Sequence, residues 1–202
     1  MSAKRQIQNN KNKIDLKQHL QDTQNYIQNL FLFIGEDGNR EGLHRTPERV
    51  AMLNETLYSG YKIDPEKILD SVFSDGACNE MVIIRDIEFY SMCEHHLLPF
   101  FGKISIGYIP DKKVVGISNL SKLVEAFARR LQIQEKLTTQ IADTIMNSLK
   151  PKGAMVVCEA LHLCMTMRGN TKQDAKILTS AVRGLFQQDS RTRMEFMQLI
   201  KT

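Results

Sequence analysis

The sequence predicts an α+β fold, with a small N-terminal helical lobe and then a larger domain in the order strand-strand-helix-helix-strand-strand. Apolar residues recur at helical spacing before residue 58, whereas β-rich segments punctuated by Gly and Pro begin at Met81. Two amphipathic helical stripes lie between the β-rich segments. A chain of 202 residues can form one substantial core, or a small lobe plus a larger domain. This order of elements favours an antiparallel sheet with helices on one face.

The N-terminal segment is predicted to be a disordered tail followed by a helix. Residues 1–14 are rich in Asn, Gln and Lys, a composition typical of disorder. Residues 15–34 carry apolar side chains at helical spacing, and the segment Gly35–Asn39 supplies a turn.

A second helix is predicted after Thr46 and Pro47, an N-cap residue followed by a first-turn proline. Residues 49–58 should therefore be helical. A break around residues 74–76 then separates the helical lobe, residues 15–78, from the larger domain, residues 79–202.

The larger domain begins with two predicted strands, Met81–Tyr90 and Phe101–Ile109. Two helical stripes follow, formed by Leu120, Leu123, Val124, Phe127 and Leu131 and by Leu137, Ile141, Ile145 and Leu149. The segments Ala154–Met167 and Ile177–Phe186 return to strand.

The net charge of +4 is located in the tail, where Lys4, Arg5, Lys11 and Lys13 precede the first acidic residue, Asp15. The rest of the chain has no net charge, so the sequence does not indicate the basic patch that is typical of nucleic-acid-binding proteins. It also shows no apolar run of membrane-spanning length and no signal segment. Four cysteines fit a reducing compartment better than a disulfide framework, so we expect a cytoplasmic protein.

Two clusters of Cys and His predict a metal site. Cys93 and His96 are three positions apart at a predicted turn, so both can reach one ion. His162 and Cys164 are two apart in a predicted strand and should share a face. Two thiolates and one imidazole suit Zn²⁺, and three protein ligands leave a fourth position open, as in catalytic zinc sites. His95 and His162 then remain available for proton transfer.

Each of these residues also has a structural interpretation. The turn at residues 93–96 could be partly buried without metal, and Cys164 taken alone fits a small core residue. Cys78 and Cys158 have no partner in the pattern and are assigned as core or surface thiols. Cys158 and Cys164 are an even number of residues apart and would face the same side of the predicted strand. Cys158 is therefore the one further candidate ligand.

Six collinear motifs resemble the GTP cyclohydrolase I family, and the resemblance extends from about residue 40 to the C-terminus. The motifs are Glu41–Arg49, Cys93–Phe100, Gly107–Pro110, Gly116–Ser118, Gln134–Glu135 and Glu159–Gly169. The resemblance implies the tunnelling fold, in which such domains assemble into a ring-shaped β-barrel. Bacterial-type members are homodecamers with active sites shared between subunits.

The resemblance also implies the reaction: zinc-dependent opening of the guanine ring of GTP, release of formate, and rearrangement to 7,8-dihydroneopterin triphosphate. The implied zinc ligands are Cys93, His96 and Cys164. His162 matches the acid that protonates guanine N7, His95 a second proton carrier, and Ser118 the residue that assists the later ribose stage. By default Ser118 would be only a helix cap.

Four further residues match the substrate contacts of the family. Glu135 resembles the carboxylate that anchors N1–H and the exocyclic amine of guanine, and Gln134 would complete the base pocket. Arg168 and Lys122 match the triphosphate contacts. Without the resemblance, Gln134 and Glu135 would simply open a helix, and Arg168 and Lys172 would form a solvated turn.

The sequence departs from the family near these contacts. Asn119 and Lys122 stand where Lys and Arg are common, and Asn170, Ala175 and Ile177 stand where Val, Ser and Thr are more frequent. One interpretation is neutral drift, compensated by Lys172, Arg129 or Arg130. The other is a weaker contact with the γ-phosphate. Asn119 removes one cation, and Lys122 replaces a guanidinium, which can donate two hydrogen bonds side by side, with a single ammonium group.

Two other classes of function remain as alternatives. One is a paralogue of the same fold with an altered purine or pterin substrate or no turnover. The other is a structural zinc module, which requires a fourth protein ligand, with Cys158 as the candidate. For the main interpretation, the product could serve folate, a biopterin-type cofactor or a deazaguanine pathway.

Overall fold

The computed structural model describes residues 15–74, 80–168 and 175–201. The predicted tail therefore lies outside the described residues, as do Cys78 in the predicted break and Gly169, Asn170 and Lys172. The chain divides into two compact units, Met1–Thr56 and Leu57–Thr202. The predicted limits at residues 78 and 79 follow the change in secondary-structure type and stay a prediction.

The first unit contains helix α1, Leu16–Ile34, and most of helix α2, Thr46–Leu57. The carboxylate of Asp15 caps α1 by accepting from the Gln18 N–H at 2.8 Å. Gly35 ends the helix in the left-handed conformation, with φ 76°, which suits a residue without Cβ. Ile27 and Phe31 are the buried residues of α1, so the predicted helix and turn are confirmed in this segment.

Helix α2 begins earlier than the sequence predicts, because Thr46 is already helical. It buries Pro47 and Ala51 and carries the acidic Glu48 in its first turn, where the helix dipole favours a negative charge. Within this unit Asn54 contacts His19 at 3.2 Å between Nδ2 and Nε2.

The second unit is built on a five-stranded sheet of order β5-β2-β3-β6-β7. Its strands are β2 Val82–Cys93, β3 Pro99–Ile109, β5 Leu131–Gln132, β6 Gly153–His162 and β7 Lys176–Gly184. Neighbours pair antiparallel except β2 and β5, which pair in parallel through Met92–Leu131 and Cys93–Gln132. A separate two-stranded ladder joins β1, Val72–Phe73, to β4, Val114–Val115.

Two long helices cover one face of this sheet. They are α4, Ile117–Ala128, and α5, Gln134–Leu149. Alternate residues of the strands point toward them, including Ile104, Ile106 and Tyr108, all fully buried. A short helix α3, Pro65–Ile68, and a 3-10 turn, Ser59–Lys62, precede the sheet.

The other face carries a smaller cluster in which Phe186 and Phe196 pack near Met155 and Val157. These two aromatic residues come from the C-terminal helices α7, Leu185–Gln188, and α8, Ser190–Leu199. The sequence pattern predicts helices on one face alone and does not predict α8. The α+β class and the predicted order of strands and helices are confirmed.

Several predicted segments end differently in the structure, including the first predicted strand, which continues past Tyr90 to Cys93. The strand predicted for Ala154–Met167 ends at His162, and Leu163–Thr166 forms a short helix, α6. His162 and Cys164 are therefore not alternate residues of one strand. Leu131 belongs to β5 rather than to the first helical stripe, and Phe186 belongs to α7 rather than to β7.

Among the described residues, no helix combines the length and the apolarity that a membrane crossing needs.

Candidate active site and metal centre

The candidate site lies where β2 ends, β6 ends and α5 begins. A tight turn follows β2: the Cys93 N–H donates to the Leu98 carbonyl and the Leu97 N–H donates to the Cys93 carbonyl, each at 2.9 Å. Leu97 has φ 52°, the left-handed conformation that lets the chain reverse into β3. The Glu94 N–H donates to the Gln132 carbonyl at 3.1 Å, which ties the turn to β5.

This turn brings the first predicted metal-binding pair together. Cys93 Sγ lies 3.9 Å from His96 Nδ1. Ligand atoms of a tetrahedral zinc site stand about 3.6 Å apart, given Zn–S near 2.3 Å and Zn–N near 2.0 Å. The observed separation is therefore close to that of two ligands on one ion.

Cys164 reaches the same place from the first turn of α6. The candidate ligand atoms of Cys93, His96 and Cys164 all lie within 4.8 Å of one another. Burial raises the pKa of the Cys164 thiol, and the neighbouring Cys93 adds to this effect. Two thiols so close together stabilise a cation that replaces their protons, so the donor set fits a soft divalent metal such as zinc.

Cys158 lies elsewhere, in the middle of β6, fully buried in the core that faces the long helices. Burial raises the pKa of its thiol to about 12. Among the described residues it is not part of the metal-binding group. The fourth protein ligand that a structural zinc module requires is therefore not supplied by Cys158.

His162 lies beside the metal-binding group and is held on two sides. Its ring stacks on Phe100 with centroids 4.5 Å apart and an interplanar angle of 8°. Its Nε2 lies 2.7 Å from Gln134 Oε1, and its Nδ1 lies 4.0 Å from Cys164 Sγ. Burial lowers the pKa of His162, while the nearby Glu135 carboxylate opposes this shift.

His95 follows Cys93 in the turn and is exposed. Its Nδ1 lies 4.0 Å from Cys93 Sγ, so it borders the metal-binding group from the solvent side. The rings of His95 and His96 meet edge to face with centroids 6.2 Å apart. His95 can therefore exchange protons with water more freely than the half-buried His162.

A pocket opens over the group and is lined by His95 and His162, by the three candidate ligands and by Glu135. Glu135 is an exposed side chain in the first turn of α5. Gln134 also lines the pocket, but only 1% of its surface is exposed. The remaining lining residues are Gln132, Ile133, Met165 and Ile177.

The sequence pattern does not indicate four of the residues at the site, namely Phe100, Gln132, Ile133 and Met165. Phe100 could have been found, because it is the register partner of His162 across β3 and β6. Gln132 and Ile133 precede α5 in a segment whose two-residue strand exists only through its pairing with β2. That pairing is a tertiary contact without a local pattern.

Arg168 lies at the edge of the group, where its Nη1 contacts His96 Nε2 at 2.6 Å. Arg168 is thus close to the site, as expected for a substrate contact, although the phosphates themselves are not part of the structure.

Ser118 and Lys122 are exposed side chains of α4 and do not line this pocket. Ser118 is inside the helix rather than its N-cap, which is Gly116. The structure of the single chain therefore does not bring Ser118 or Lys122 to the metal-binding group.

The two arginines considered as compensating cations are engaged elsewhere. Arg129 pairs with Glu125 at 2.6 Å. Arg130 donates to the carbonyls of Gly60 and Ala126 at 3.0 and 2.8 Å, and burial lowers the pKa of its guanidinium. Neither lines the pocket.

Comparison with known proteins identifies the family. The family model described as GTP cyclohydrolase I matches residues 23–201. GTP cyclohydrolase 1 of Wolinella succinogenes is 66% identical over 175 residues, which are 87% of this chain and 94% of that protein. GTP cyclohydrolase 1 of Helicobacter pylori is 58% identical over 179 residues, which are 89% of this chain and 99% of that protein.

A further relative is GTP cyclohydrolase 1 of Helicobacter hepaticus, 57% identical over 88% of this chain and 86% of that protein. The crystal structure of the archaeosine synthase QueF-Like in the apo form aligns with TM-score 0.42 and 18% identity over 52% of this chain and 93% of that chain. A likeness at that level bears on neither fold nor function. The family model and the curated relatives span most of the sequence, and they show that this chain belongs to the GTP cyclohydrolase I family.

Proposed function

We propose that this chain catalyses the zinc-dependent hydrolytic opening of the guanine ring of GTP, with release of formate and rearrangement to 7,8-dihydroneopterin triphosphate. One observation carries the proposal: Cys93, His96 and Cys164 converge beside His162 in a pocket that also contains Glu135. When bound, zinc would supply Lewis-acid activation of water near neutral pH. The three side chains have donor atoms that suit zinc and that lie within 4.8 Å of one another.

The proton transfers fall to the two histidines. Guanine C8 becomes electrophilic when N7 is protonated, so the site needs an acid close to the metal-binding group. His162 fits this role because its Nδ1 faces Cys164 and its ring cannot turn freely between Phe100 and Gln134. His95, which is exposed, is suited to relay protons to solvent.

The purine would be selected at the first turn of α5. The carboxylate of Glu135 can accept hydrogen bonds from N1–H and the exocyclic amine of guanine together, and adenine offers no matching pair of donors. Its position on the pocket wall supports this assignment. Arg168 would bind the triphosphate from the edge of the metal-binding group.

Ser118 and Lys122 would act in a neighbouring subunit of a homodecamer. Both are exposed on α4 and lie outside the pocket of their own chain. This is the arrangement expected when one subunit completes the site of another. The outer edge of β7 has no partner strand within the described part of the chain, which leaves it available for pairing in a ring-shaped barrel.

We place the reaction in the cytoplasm. A reduced environment keeps Cys93 and Cys164 as thiols, the form in which they can bind a metal.

Formate release from GTP by purified zinc-loaded protein tests the proposed function. We expect stoichiometric formate and the fluorescence of the oxidised pterin product, together with about one zinc per chain. Zinc without formate release would favour a structural zinc module. Formate from another purine, but not from GTP, would favour the paralogue with an altered substrate.

A further inference from the structure

We propose that Gln134 is a positioning residue that fixes the tautomer of His162, so that Nε2 carries the proton and Nδ1 is the nitrogen presented to the reaction. The proposal rests on the proposed function for its catalytic consequence, and on hydrogen-bond geometry alone for the tautomer. It replaces the expected role of Gln134 as a direct contact of the guanine base.

The orientation of the Gln134 amide is determined by its surroundings. Its Nε2 lies 3.0 Å from the carbonyl oxygens of Cys158 and Ile177 and 3.1 Å from Thr179 Oγ1. The two carbonyls can only accept hydrogen bonds. The opposite orientation would place Oε1 against two carbonyl oxygens, which is repulsive in a site where Gln134 is 1% exposed.

The hydrogen bonds of the Thr138 and Thr179 hydroxyl groups agree with this orientation of the Gln134 amide. Thr138 Oγ1 donates to the backbone carbonyl of Gln134 at 2.8 Å. The same hydroxyl oxygen lies 2.7 Å from Thr179 Oγ1. The proton of the Thr138 hydroxyl is therefore committed to the carbonyl, so Thr179 donates to Thr138. Thr179 then accepts from the Gln134 amide, which closes a cycle of hydrogen bonds in one direction.

The amide oxygen of Gln134, Oε1, determines the tautomer of His162. Gln134 Oε1 is an acceptor and lies 2.7 Å from His162 Nε2, so that nitrogen must carry a proton. In the neutral imidazole, Nδ1 then has the free lone pair, so the proton that His162 gives to guanine N7 is first taken up at Nδ1 from solvent, with His95 as the relay. Nδ1 lies 4.0 Å from Cys164 Sγ, on the side of the metal-binding group. Phe100 stacks on the ring at 4.5 Å and holds its plane.

Gln134 is poorly placed for a direct contact with the base. Both of its amide hydrogens and its amide oxygen already have partners within the protein, and the residue is nearly fully buried. Glu135, the next residue, is exposed and lines the same pocket. Adjacent residues at the start of α5 thus divide two tasks, with Glu135 facing the substrate and Gln134 facing His162.

The experiment uses the full-length zinc-loaded protein labelled with ¹⁵N-histidine, sedimented for solid-state NMR at pH 8, where an ordinary histidine is neutral. The spectrum of the His162→Gln variant identifies the signals of His162. We expect Nε2 protonated and Nδ1 bare in the wild type. A protonated Nδ1 in the wild-type spectrum would overturn the proposal without any Gln134 variant.

Two substitutions of Gln134 separate positioning from substrate contact. Gln134→Glu keeps an acceptor for His162 Nε2 in its protonated form, which burial of the site favours and whose hydroxyl donates to a carbonyl in place of the amide, so we expect the same tautomer and a kcat for formate release within roughly tenfold of wild type. Gln134→Leu removes the acceptor, so we expect mixed tautomers and a kcat roughly tenfold to a hundredfold lower, part of what an acid–base group contributes. The KM for GTP should stay within about twofold in both.

Gln140→Leu is the matched control. It is the same substitution in the same helix and removes another partly buried hydrogen bond, from Gln132 Nε2 at 2.9 Å. We expect the wild-type tautomer and kcat. A KM increase of tenfold or more for Gln134→Leu at unchanged kcat would make Gln134 a substrate contact and overturn the proposal.

Two measurements keep the test decisive. If Gln134→Leu does not fold, because two buried carbonyls lose their donor, the wild-type spectrum and Gln134→Glu decide. Absence of formate release from wild type would remove the proposed function, while the tautomer would still be decided by the spectrum.

Discussion

At the residue scale, the metal-binding group is assembled from two segments that are distant in sequence. Cys93 and His96 come from a turn that is closed by its own backbone hydrogen bonds and tied to β5 by one more, and Cys164 comes from a helical turn after β6. The β3–β6 register, in which Phe100 opposes His162, brings the two segments together. Loss of one donor atom should therefore release the metal without unfolding the sheet.

The first prediction concerns these three donors. Cys93→Ala, His96→Ala and Cys164→Ala should each lose zinc and formate release, because two remaining ligands hold zinc too weakly. Zinc content by mass spectrometry and a formate assay provide the measurement. Circular dichroism should show the wild-type fold in each variant.

Cys158→Ala is the matched control, since it removes a thiol of β6 that lies outside the group. It should keep zinc and activity, with the modest loss of stability expected for a small core truncation. Loss of zinc in this variant would mean that Cys158 is a fourth ligand and that the site is closed to substrate.

The second prediction concerns Asn119, which stands where the family commonly carries Lys. Asn119→Lys should lower the KM for GTP and widen the preference for GTP over GDP, because it adds a cation near the expected γ-phosphate position. A charge-assisted hydrogen bond contributes on the order of 1.5–3 kcal/mol, so the KM should fall roughly tenfold to a hundredfold. The measurement is kcat/KM for both nucleotides.

Asn119→Met supplies the length of lysine without its charge. It should leave the KM for GTP and the preference for GTP over GDP unchanged. If Asn119→Lys behaves like Asn119→Met, the triphosphate contact is complete by other means and the departure from the family is drift.

At the scale of secondary-structure elements, the sequence predicts the long amphipathic segments well and the short ones poorly. The stripes of α4 and α5 are repeated over several turns, and their apolar residues are the ones buried against the sheet. These periods are local, so they can be recognised without the tertiary structure.

The end of β6 shows why the remaining elements were missed. The run Leu163–Met167 is apolar, and a short apolar run does not distinguish strand from helix. Leu and Met are good helix formers, so the chain can turn into α6 once its strand partner ends: β3 begins at Pro99, next to the register partner of His162. The shared strand face of His162 and Cys164 was one argument for this part of the site; the residue types and the resemblance to the family are the others, and they do not depend on where β6 ends.

The third prediction tests the contact between β3 and β6. A Cβ on Gly102 would collide with the backbone carbonyl oxygen of Glu159 and with Ala160, so the two strands approach closely only because residue 102 has no side chain. Gly102→Ala should destabilise the protein by about 1–3 kcal/mol, or roughly 3–10 °C in Tm. Differential scanning calorimetry gives the shift.

Gly116→Ala is the control for this substitution. A Cβ there would meet only Asn119 and Phe73, at 3.7 and 3.8 Å, which is ordinary contact. Its Tm should stay within about 2 °C of wild type, as for a substitution within about 0.5 kcal/mol. Equal Tm values for the two variants would contradict the close strand approach.

At the scale of the whole molecule, the chain carries surfaces that a single copy leaves uncovered. Leu32 and Phe33 of α1 are 77% and 86% exposed, and Leu178 on the open edge strand β7 is 60% exposed. Large apolar side chains in such positions are typical of interfaces between subunits. Together with Ser118 and Lys122 outside the pocket, they support an oligomer with shared sites.

The final prediction tests whether Lys122 acts in a neighbouring subunit's pocket. Cys164→Ala removes a metal ligand from the pocket, and Lys122→Glu reverses a cation on α4, so each variant alone should release little formate at GTP concentrations below KM. When the two differently tagged chains are co-expressed and purified as mixed oligomers, a shared site can combine an intact pocket from one chain with an intact α4 from another. With random mixing in equal amounts, about a quarter of the sites should be restored.

The control mixes Cys164→Ala with Cys93→Ala, which damage the same pocket in both chains, so no arrangement of subunits can restore a site. Formate release by that mixture should stay at the level of the separate variants. If the mixture of Cys164→Ala with Lys122→Glu shows no more activity than this control, Lys122 does not act across a subunit boundary.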